Sequence, residues 1–506
     1  MKLDVALNAK KGIAFGITYR VISIIIPFLL QTIIRYFLSA EYIGIRGLFD
    51  SILTVLSMAE LGFGSAIIYH MFKPIAEDDK EAINSLLHLY RKIYFFVGLI
   101  IFIFGCAILP IIPSLIKDSY PSEINLRVVF FLYLINSAFS YWFFAYKSSL
   151  LLAYQRFDII SVVNFIILLL SAIFQGIILI VFRNYYVFLF ISIVATISRN
   201  LLSAYSANKL FPDLLPLGDI SKDTLRSIKK NVSGLFVGNI CGITRNTFDS
   251  IFITYFISLD ETTIYSVYYF ILISLNQISS AILSSLLAGV GNQIKLNDKD
   301  YNYENMLKVN SLYMVVSGWM TICFLCLVQP FVTLWMGVDY VFPFHIAILF
   351  PIYFYIGKLG DIRGVYSDGA GLFWENRTRY IFEIIANFIL NYLFIKLFGT
   401  FGIVLATIFT LFFFGFLVST FIIFKYYFKN GMLRYLLNQF KYFVVTGIIS
   451  FVVYFICIKL TPNDGFLTII IRGVLCILIP PSLYMLFLFK DKTFMNSIKF
   501  IYKIKK

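Results

Sequence analysis

The stretch from Ile13 to Leu38 reads IAFGITYRVISIIIPFLLQTIIRYFL, and its 26 residues are mostly apolar. A helix of about 20 apolar residues is long enough to cross a bilayer, so this stretch predicts a membrane span. It is too long for the apolar region of a cleavable signal peptide. Two arginines, Arg20 and Arg35, lie inside it. A cation in hydrocarbon is costly unless it faces water or a partner. We therefore expect each of these two arginines to face one or the other.

The rest of the chain continues this pattern. Of its 506 residues, 60% are hydrophobic and 14% are charged, and the mean hydropathy is +0.86. Soluble domains are less apolar and more highly charged. We therefore predict an all-α polytopic membrane protein with about 14 transmembrane helices. The predicted spans are 13–38, 42–69, 92–113, 125–148, 159–182, 185–207, 231–257, 262–290, 307–332, 342–367, 379–398, 401–426, 440–460 and 466–489.

The positions of lysine and arginine in the loops predict the orientation. With the N-terminus inside, the cytoplasmic segments hold 30 of the 42 basic residues and the outer segments hold five. This asymmetry predicts an N-in/C-in topology. The net charge of +15 then reflects topology and attraction to anionic lipid headgroups, and we expect no nucleic-acid partner.

A repeat at an offset of about 220 residues divides the chain into two halves. Glu41 opens the second predicted span and Glu261 the eighth, and the loop 78–80 corresponds to the loop 298–300. Parallel repeats of this kind are typical of transporters. The predicted division is a six-helix lobe, a cytoplasmic linker, a second six-helix lobe, and two additional helices with a basic tail, at 1–208, 209–230, 231–430 and 431–506.

Polar residues form one-sided stripes on the first two predicted helices of each half. Such stripes face either another helix or a water-filled cavity, and ionisable and amide groups on four helices favour the cavity. The third to sixth and the last four spans are mostly apolar. The candidate cavity-lining residues are Gln31, Arg35, Asp50, Asn239, Asn246, Asn276 and Gln277.

Seven basic residues fall inside predicted spans: Arg20, Arg35, Arg46, Arg199, Arg245, Lys358 and Arg472. Arg20 lies about 10 Å deep by helical rise, and Arg245 lies near mid-span. These two are the best candidates for binding an anion, with Arg46 as a third. Three others, Arg35, Arg46 and Arg472, are close enough to an interface to snorkel. Arg199 lies on no clear stripe.

Three carboxylates within or close to the spans, Glu60, Asp249 and Asp361, are candidates for coupling transport to an ion, because a desolvated carboxylate can take up and release a proton. Structural ion pairs are an equally good explanation of the acidic residues. The pairs that helical spacing allows are Arg46 with Asp50, Arg245 with Asp249, and Lys358 with Asp361.

The six cysteines are scattered through apolar segments, and Cys323 and Cys326 form a CxxC pair. No histidine cluster accompanies them, so the pattern favours packing over a metal site or a disulfide framework. No Gly-rich phosphate-binding loop is present, which argues against ATP bound on this chain. We expect no metal, no cofactor and no catalytic residues.

Two runs, EYIGIRGLF at 41–49 and AELGFGSA at 59–66, resemble the start of the second helix in bacterial oligosaccharide flippases. These are the Wzx-type members of the multidrug/oligosaccharidyl-lipid/polysaccharide (MOP) exporter superfamily. The likeness continues through Lys73-Pro74 and the acidic run 77–79. The span count and the layout of six, six and two helices agree over nearly the whole chain.

This resemblance implies a flippase that moves an undecaprenyl-diphosphate-linked oligosaccharide to the outer leaflet of the bacterial cytoplasmic membrane, for cell-surface polysaccharide synthesis. It implies alternating access between two lobes around a cationic central cavity lined by helices 1, 2, 7 and 8. Arg20, Arg46 and Arg245 become candidate diphosphate contacts. The expected partners are the lipid-linked glycan, membrane lipids and a coupling proton or sodium ion, and the expected state is a monomer.

Two alternatives stay open. A multidrug or cation exporter of the same fold would need a net acidic cavity, whereas basic residues outnumber acids on the four stripes. A membrane-bound polysaccharide polymerase or glycosyltransferase generally needs a sizeable outer loop with catalytic groups. The longest predicted outer loop runs only from Ser114 to Ile124. We therefore expect a transporter rather than an enzyme.

Overall fold

The computed structural model describes residues 22–60, 63–116, 120–154, 156–296, 298–461 and 465–504, and every regular element within these residues is helical. The helices of the first half are α1 (Ile22–Phe37), α2 (Glu41–Leu56), α3 (Phe63–Ala76), α4 (Lys80–Ile108), α5 (Ile112–Leu115), α6 (Leu126–Phe139), α7 (Lys147–Ala153), α8 (Phe157–Ile177), α9 (Tyr185–Leu210) and α10 (Lys222–Phe256). Those of the second half are α11 (Leu259–Leu296), α12 (Lys299–Met336), α13 (Phe344–Ala347), α14 (Leu349–Lys358), α15 (Asp361–Gly369), α16 (Phe373–Thr410), α17 (Ser419–Ile423), α18 (Met432–Leu460), α19 (Phe466–Leu488) and α20 (Lys492–Ile504).

Eight helical segments among the described residues are long and apolar enough to cross a membrane, and shorter apolar helices such as α1 and α6 accompany them. The prediction of an all-α polytopic membrane protein is confirmed. The count of 14 spans and the N-in/C-in orientation stay predictions.

One of the eight segments, Trp374–Phe428, contains 55 residues. A continuous helix of that length would measure about 80 Å, more than twice the thickness of a bilayer's hydrocarbon core. The helix is broken at Gly399, whose φ of 59° and ψ of −140° are not helical. Glycine accepts this conformation without a Cβ clash. The break falls between the predicted spans 379–398 and 401–426.

The first compact unit of the chain is Met1–Thr263. Within it α8 packs against α9, α9 against α6, and α6 against α4, while α10 packs against α2 and α3. Apolar side chains of α3, α4 and α10 meet in one buried cluster that includes Ile67, Leu87 and Ile228. The unit therefore forms a helical bundle around apolar contacts, with α2 in contact with α4, α6 and α10.

The second compact unit, Ile264–Lys506, is built around α12. This helix packs against α14, α18, α19 and α20, and α18 and α19 also pack against each other. Arg434 of α18 pairs with Glu304 of α12, and Lys441 pairs with Asp491 just before α20. Compactness thus divides the chain at Thr263, whereas the predicted lobes rest on the sequence repeat, and that assignment stays a prediction.

Two helix starts occupy corresponding places in the repeat. Asp79 caps α4 by accepting a 3.0 Å hydrogen bond from the Ala82 amide. Asp298 caps α12 by accepting a 2.7 Å hydrogen bond from the Tyr301 amide. Both carboxylates satisfy amides that have no partner inside their helix. The acidic loops recognised in the sequence therefore begin the third helix of each predicted half in the same way.

Candidate functional site

A cavity of about 760 Å³ lies within the first unit, between α1, α2, α6, α8 and α9. Cavities of this size are typical of small-molecule sites. One wall is apolar and comes from α1, with Ile26, Pro27 and Leu30. The polar residues that line the cavity are Arg46, Asp50, Thr54, Ser57, Tyr133, Asn136, Ser137, Ser140, Ser171, Gln175, Ser192, Thr196, Arg199 and Asn200.

Arg46 and Asp50 lie one turn apart on α2 and form a loose ion pair. The Arg46 Nε and the Asp50 Oδ2 are 3.5 Å apart, and the side chains are 30% and 54% exposed. The pairing that helical spacing predicted is therefore present, but it leaves the Arg46 Nη1 buried without a hydrogen-bond partner among the described residues. Exposed pairs of this kind contribute about 1 kcal/mol or less, so Asp50 holds Arg46 only weakly.

Arg199 of α9 supplies a second guanidinium to the cavity. Its Nε is buried and has no hydrogen-bond partner within the described part of the chain. A buried charged donor without a partner is costly, which makes it receptive to an acceptor entering the cavity. Sequence reasoning left Arg199 without a stripe, and the structure adds it to the residues that line the cavity.

The other polar groups of the wall largely satisfy one another. Thr196 donates to the Asn136 Oδ1 at 2.7 Å, and the Gln175 Nε2 donates to the Ser192 Oγ at 2.7 Å. The Asn200 Nδ2 donates to the backbone oxygen of Phe139 at 3.0 Å. These bonds tie α6, α8 and α9 together and fix the wall. A wall held in this way fixes the position of α9, the helix that carries Arg199.

The charged groups that line the cavity are two guanidinium groups and one carboxylate, so its formal charge is +1. Guanidinium presents a fork of donors that suits phosphate and carboxylate oxygens. The open donors belong to Arg46 and Arg199, while Asp50 is more than half exposed. The arrangement is suited to an anion that carries several acceptor oxygens.

Of the three candidate residues on the first predicted helix, the structure describes two, and neither lines the cavity of the first unit. Arg20 lies outside the described residues. Gln31 of α1 is buried, and its Oε1 has no hydrogen-bond partner among the described residues. Arg35 is partly buried near the end of α1. Neither Gln31 nor Arg35 is among the residues that line the cavity of the first unit.

The described candidate side chains on α10 and α11 also lie outside the set that lines this cavity. Arg245 is partly buried, with its Nη2 4.0 Å from the Cys241 Sγ, and Asp249 is fully buried. Asn239 is exposed, and the side chain of Asn246 lies outside the described part. On α11, Asn276 is half-buried and Gln277 is exposed. A central cavity lined by helices 1, 2, 7 and 8 stays a prediction.

Glu60 ends a short 3-10 turn (Ser57–Glu60) between α2 and α3. The Tyr94 hydroxyl donates to the Glu60 Oε1 at 2.8 Å, and the Tyr90 hydroxyl donates to that of Tyr94 at 2.7 Å. A chain of hydroxyls that ends on a carboxylate can hold a proton between defined partners. The role of Glu60 in ion coupling stays a prediction, and these contacts are what such a role would use.

Asp361 belongs to a separate network in the second unit. Its Oδ2 accepts from the Lys358 Nζ at 3.0 Å and from the Tyr313 hydroxyl at 2.5 Å. Lys358 is buried, which explains how a cation is held inside an apolar segment: it is paired with a carboxylate. This arrangement favours the structural alternative for Asp361 over ion coupling.

The sequence prediction that the third to sixth spans are mostly apolar missed three walls of the cavity. On α9, Ser192, Thr196, Arg199 and Asn200 follow helical spacing and share one face. Gln175 on α8 and Asn136 on α6 complete the polar surface. The signal was the spacing on α9, and it was overlooked because only one of its four members is charged.

Solved structures of membrane transporters share this architecture. The lipid II flippase MurJ, in an inward closed conformation, matches with a TM-score of 0.63 and 15% identity over 94% of this chain and 99% of that chain. An inward-facing multidrug resistance MATE family transporter of the MOP superfamily matches with a TM-score of 0.59 and 14% identity, over 81% and 94% of the two chains.

A third match is a MOP superfamily transporter from Pyrococcus furiosus, with a TM-score of 0.51 and 14% identity over 82% of this chain and 94% of that chain. That protein is described by a binding pocket of reverse polarity, which suggests a different function. No protein-family model matches the chain, and no curated protein matches it significantly. Identities this low show the fold alone, and the chain shares the fold of these membrane transporters.

Proposed function

We propose that this protein is a flippase that moves a polyprenyl-diphosphate-linked oligosaccharide from the cytoplasmic to the outer leaflet of a bacterial cytoplasmic membrane. The glycan would serve the synthesis of a cell-surface polysaccharide, as in the Wzx-type transporters that the sequence resembles. The observation that carries this proposal is the cavity of the first unit, in which Arg46 and Arg199 both hold buried N–H groups without hydrogen-bond partners in the described part of the chain.

A diphosphate suits these donors better than a cation does. It is doubly charged and rich in acceptor oxygens, and a guanidinium can bind such a group through two parallel hydrogen bonds. Hydrogen bonds to a charged group contribute about 1.5–3 kcal/mol each. The fold, shared with the lipid II flippase MurJ, also supports a lipid-linked cargo.

The second candidate function is a multidrug or cation exporter, because a MATE family transporter shares the fold. Asp50 is the group in the cavity that a cationic cargo would use. Its carboxylate is outnumbered by the two guanidinium groups, so a cation would meet net repulsion. The MOP transporter from Pyrococcus furiosus illustrates that pocket polarity varies within this fold.

The proposed mechanism is alternating access. The diphosphate headgroup enters the cavity and pairs with the arginines, while the polyprenyl tail stays in lipid. A change of conformation then exposes the headgroup to the other side. Arg20 and Arg245 are further candidate contacts of the headgroup. Glu60 is a candidate binding residue for the ion that drives the cycle.

The proposal is tested by binding of a fluorescent polyprenyl-diphosphate monosaccharide to the purified protein in nanodiscs. Arg199→Gln and Arg46→Gln each remove one donor group from the cavity, so each weakens binding by about tenfold or more. The matched control is Arg127→Gln, because Arg127 is exposed at the start of α6 and does not line the cavity.

Equal affinity of the probe for the wild type and for both cavity variants would overturn the proposal. A neutral polyprenyl glycoside without phosphate serves as the comparison ligand, and its binding should be weak and insensitive to these substitutions. Tight binding of a quaternary ammonium dye that is lost in Asp50→Asn would instead favour the cation exporter.

A further inference from the structure

Cysteines from three helices, which lie far apart in the sequence, meet in the second unit. Cys326 is on α12, Cys457 on α18 and Cys476 on α19, and their three sulfur atoms all lie within 4.8 Å of one another. All three residues are buried. Cys323, one turn before Cys326, is partly buried, and its Sγ lies 4.0 Å from the carbonyl oxygen of Cys476. The three helices pack against one another at this point.

The spacing of the sulfur atoms is close to that of a thiolate metal site. Tetrahedral Zn²⁺ has Zn–S bonds of about 2.3 Å, which sets the sulfur atoms about 3.8 Å apart. A contraction of about 1 Å or less from the present limit of 4.8 Å reaches that geometry. Small rotations of the three thiols around their Cα–Cβ bonds suffice for such a change.

The backbone around the cluster is already fixed. The Trp319 Nε1 donates to the carbonyl of Cys476 at 2.7 Å, and the Thr461 Oγ1 donates to the carbonyl of Cys457 at 2.7 Å. Both bonds go to backbone carbonyls, so they fix the main chain that carries the thiols rather than the thiols themselves. The cluster therefore resembles a prepared site more than a loose group of small apolar side chains.

A basic residue stands beside the sulfur atoms. Arg472 of α19 donates from its Nη1 to the carbonyl of Cys326 at 3.1 Å and from its Nε to the Thr461 Oγ1 at 3.1 Å. A divalent ion with four thiolates carries a net charge of −2, and the guanidinium offsets one of these two charges. This provides a role for a cation that lies inside an apolar helix.

We propose that Cys326, Cys457 and Cys476, with Cys323 as the fourth ligand, form a binding site for a soft metal ion, Zn²⁺ or Cu⁺, that joins α12, α18 and α19. The site is independent of the proposed transport function. A closed set of cysteine ligands is typical of structural rather than catalytic zinc. Each thiol that binds the ion releases its proton, so binding is favoured by rising pH.

The sequence alone favoured packing for the CxxC pair, whereas the structure favours a metal site because it adds cysteines from two other helices. A CxxC on one helix offers two ligands, whereas the cluster offers four from three helices. A disulfide between two members is the competing chemistry, and its products differ from those of metal binding in mass and in thiol count. The two can be separated by experiment.

The test uses the full-length protein in detergent, reduced, stripped with a chelator and then incubated with excess Zn²⁺, Cu⁺ or Mg²⁺. After desalting, metal is counted by mass spectrometry. Wild type and the control Cys106→Ser retain about one Zn²⁺ or Cu⁺ per chain and no Mg²⁺, while Cys457→Ser and Cys326→Ser retain about a tenth of that or less. Cys106 is a suitable control because it lies on α4 of the first unit.

A second measurement needs no variant. Co²⁺ added to the reduced wild-type protein gives a thiolate-to-metal charge-transfer absorption band, which Zn²⁺ then removes by displacement. The proposal is overturned if no such band forms and no soft ion is retained. It is also overturned if all variants retain metal equally, or if the protein as purified under air has the mass of a disulfide-bonded chain and binds no metal once reduced.

Discussion

The charge of the cavity in the first unit depends on single side chains. Arg46 and Arg199 contribute two positive charges, and Asp50 subtracts one through a loose 3.5 Å contact with Arg46. Because that pair is partly exposed, water screens much of its attraction. The sign of the effect of Asp50 on a bound cargo therefore reports the charge of the cargo directly.

We expect Asp50→Asn to strengthen binding of the fluorescent polyprenyl-diphosphate probe by about two- to fivefold, because an exposed ion pair is worth about 0.2–1 kcal/mol. Removal of the carboxylate frees the Arg46 guanidinium and raises the net charge of the cavity. Affinity measured in nanodiscs checks this, with Ser137→Ala, an uncharged change in the same wall, as the control. Weaker binding of the diphosphate probe in Asp50→Asn would contradict the assignment of an anionic cargo.

The contacts of Lys358 with Asp361 favour a structural role for this pair, which stays a prediction. We expect Asp361→Asn to lower the free energy of unfolding by about 3–5 kcal/mol, because it leaves the buried Lys358 ammonium without its counter-charge. Asp213→Asn, which breaks the exposed Lys80–Asp213 pair, should cost about 1 kcal/mol or less. Thermal or denaturant unfolding in detergent measures both.

The double variant Lys358→Met with Asp361→Leu distinguishes a structural pair from a coupling site. It removes both charges, so it should recover most of the stability lost in Asp361→Asn and keep transport. If the double variant folds well but transport no longer depends on an ion gradient, Asp361 has the coupling role that its contacts argue against.

At the scale of elements, the close approach of α2 to the start of α11 depends on Gly44. A Cβ at this position would collide with the Thr263 side chain and lie 3.1 Å from the Leu259 carbonyl oxygen. Thr263 is fully buried, and its hydroxyl donates to that same carbonyl, so it cannot easily move away. Glycine is needed here for contact between helices rather than for its backbone conformation.

We expect Gly44→Ala to destabilise the protein by about 1–3 kcal/mol, because overpacking forces the two helices apart. The matched control is Gly447→Ala on α18, where no atom lies within 4 Å of the added methyl group. There the helix-forming preference of alanine should stabilise by about 0.5–1 kcal/mol. Opposite shifts in unfolding temperature support this account, and equal shifts contradict it.

The caps of α4 and α12 should respond alike to substitution. Asp79→Ala and Asp298→Ala each remove an acceptor for an amide at a helix start, so each should cost about 1 kcal/mol, whereas Asn at either position should retain most of the stability. Asp300→Ala, in the first turn of α12 rather than at its cap, is the control. Unfolding temperatures give the comparison, and a loss at only one of the two caps would contradict their equivalence.

The sequence predicted the elements better than it predicted the site. Long apolar stretches follow directly from composition, and the break at Gly399 falls between two predicted spans. The repeat located the two acidic loops, and the structure shows that each holds a helix cap. Hydroxyl groups on apolar helices are ambiguous, because they can bond to their own backbone, as Ser171 does to the Leu168 carbonyl. The polar faces of α6, α8 and α9 were therefore not recognised.

Contacts between residues that are distant in the sequence could not be predicted from its spacing. Cys326 and Cys476 are 150 positions apart, and no spacing rule brings them together. The same holds for Arg46 and Arg199, which share one cavity although they lie on α2 and α9. Only the packing of the helices shows that these side chains are neighbours. Prediction from periodicity recovers the faces of single helices and not their partners.

At the scale of the whole molecule, the chain combines the fold of these solved transporters with an electropositive cavity in its first unit. The fold alone is compatible with cargoes of either charge, since multidrug MATE transporters share it. The two arginines of the cavity favour a lipid-linked diphosphate as the cargo. The central claim is therefore that translocation of such a lipid requires Arg46 and Arg199.

The most direct measurement is the movement of a fluorescent polyprenyl-diphosphate monosaccharide between leaflets of vesicles that contain the protein, followed by quenching from outside. Wild type and Arg127→Gln should move the probe, and Arg46→Gln with Arg199→Gln should slow it by about a hundredfold, since two charge-assisted contacts are lost. Equal rates in the double variant and the wild type, at equal amounts of folded protein, would contradict the account.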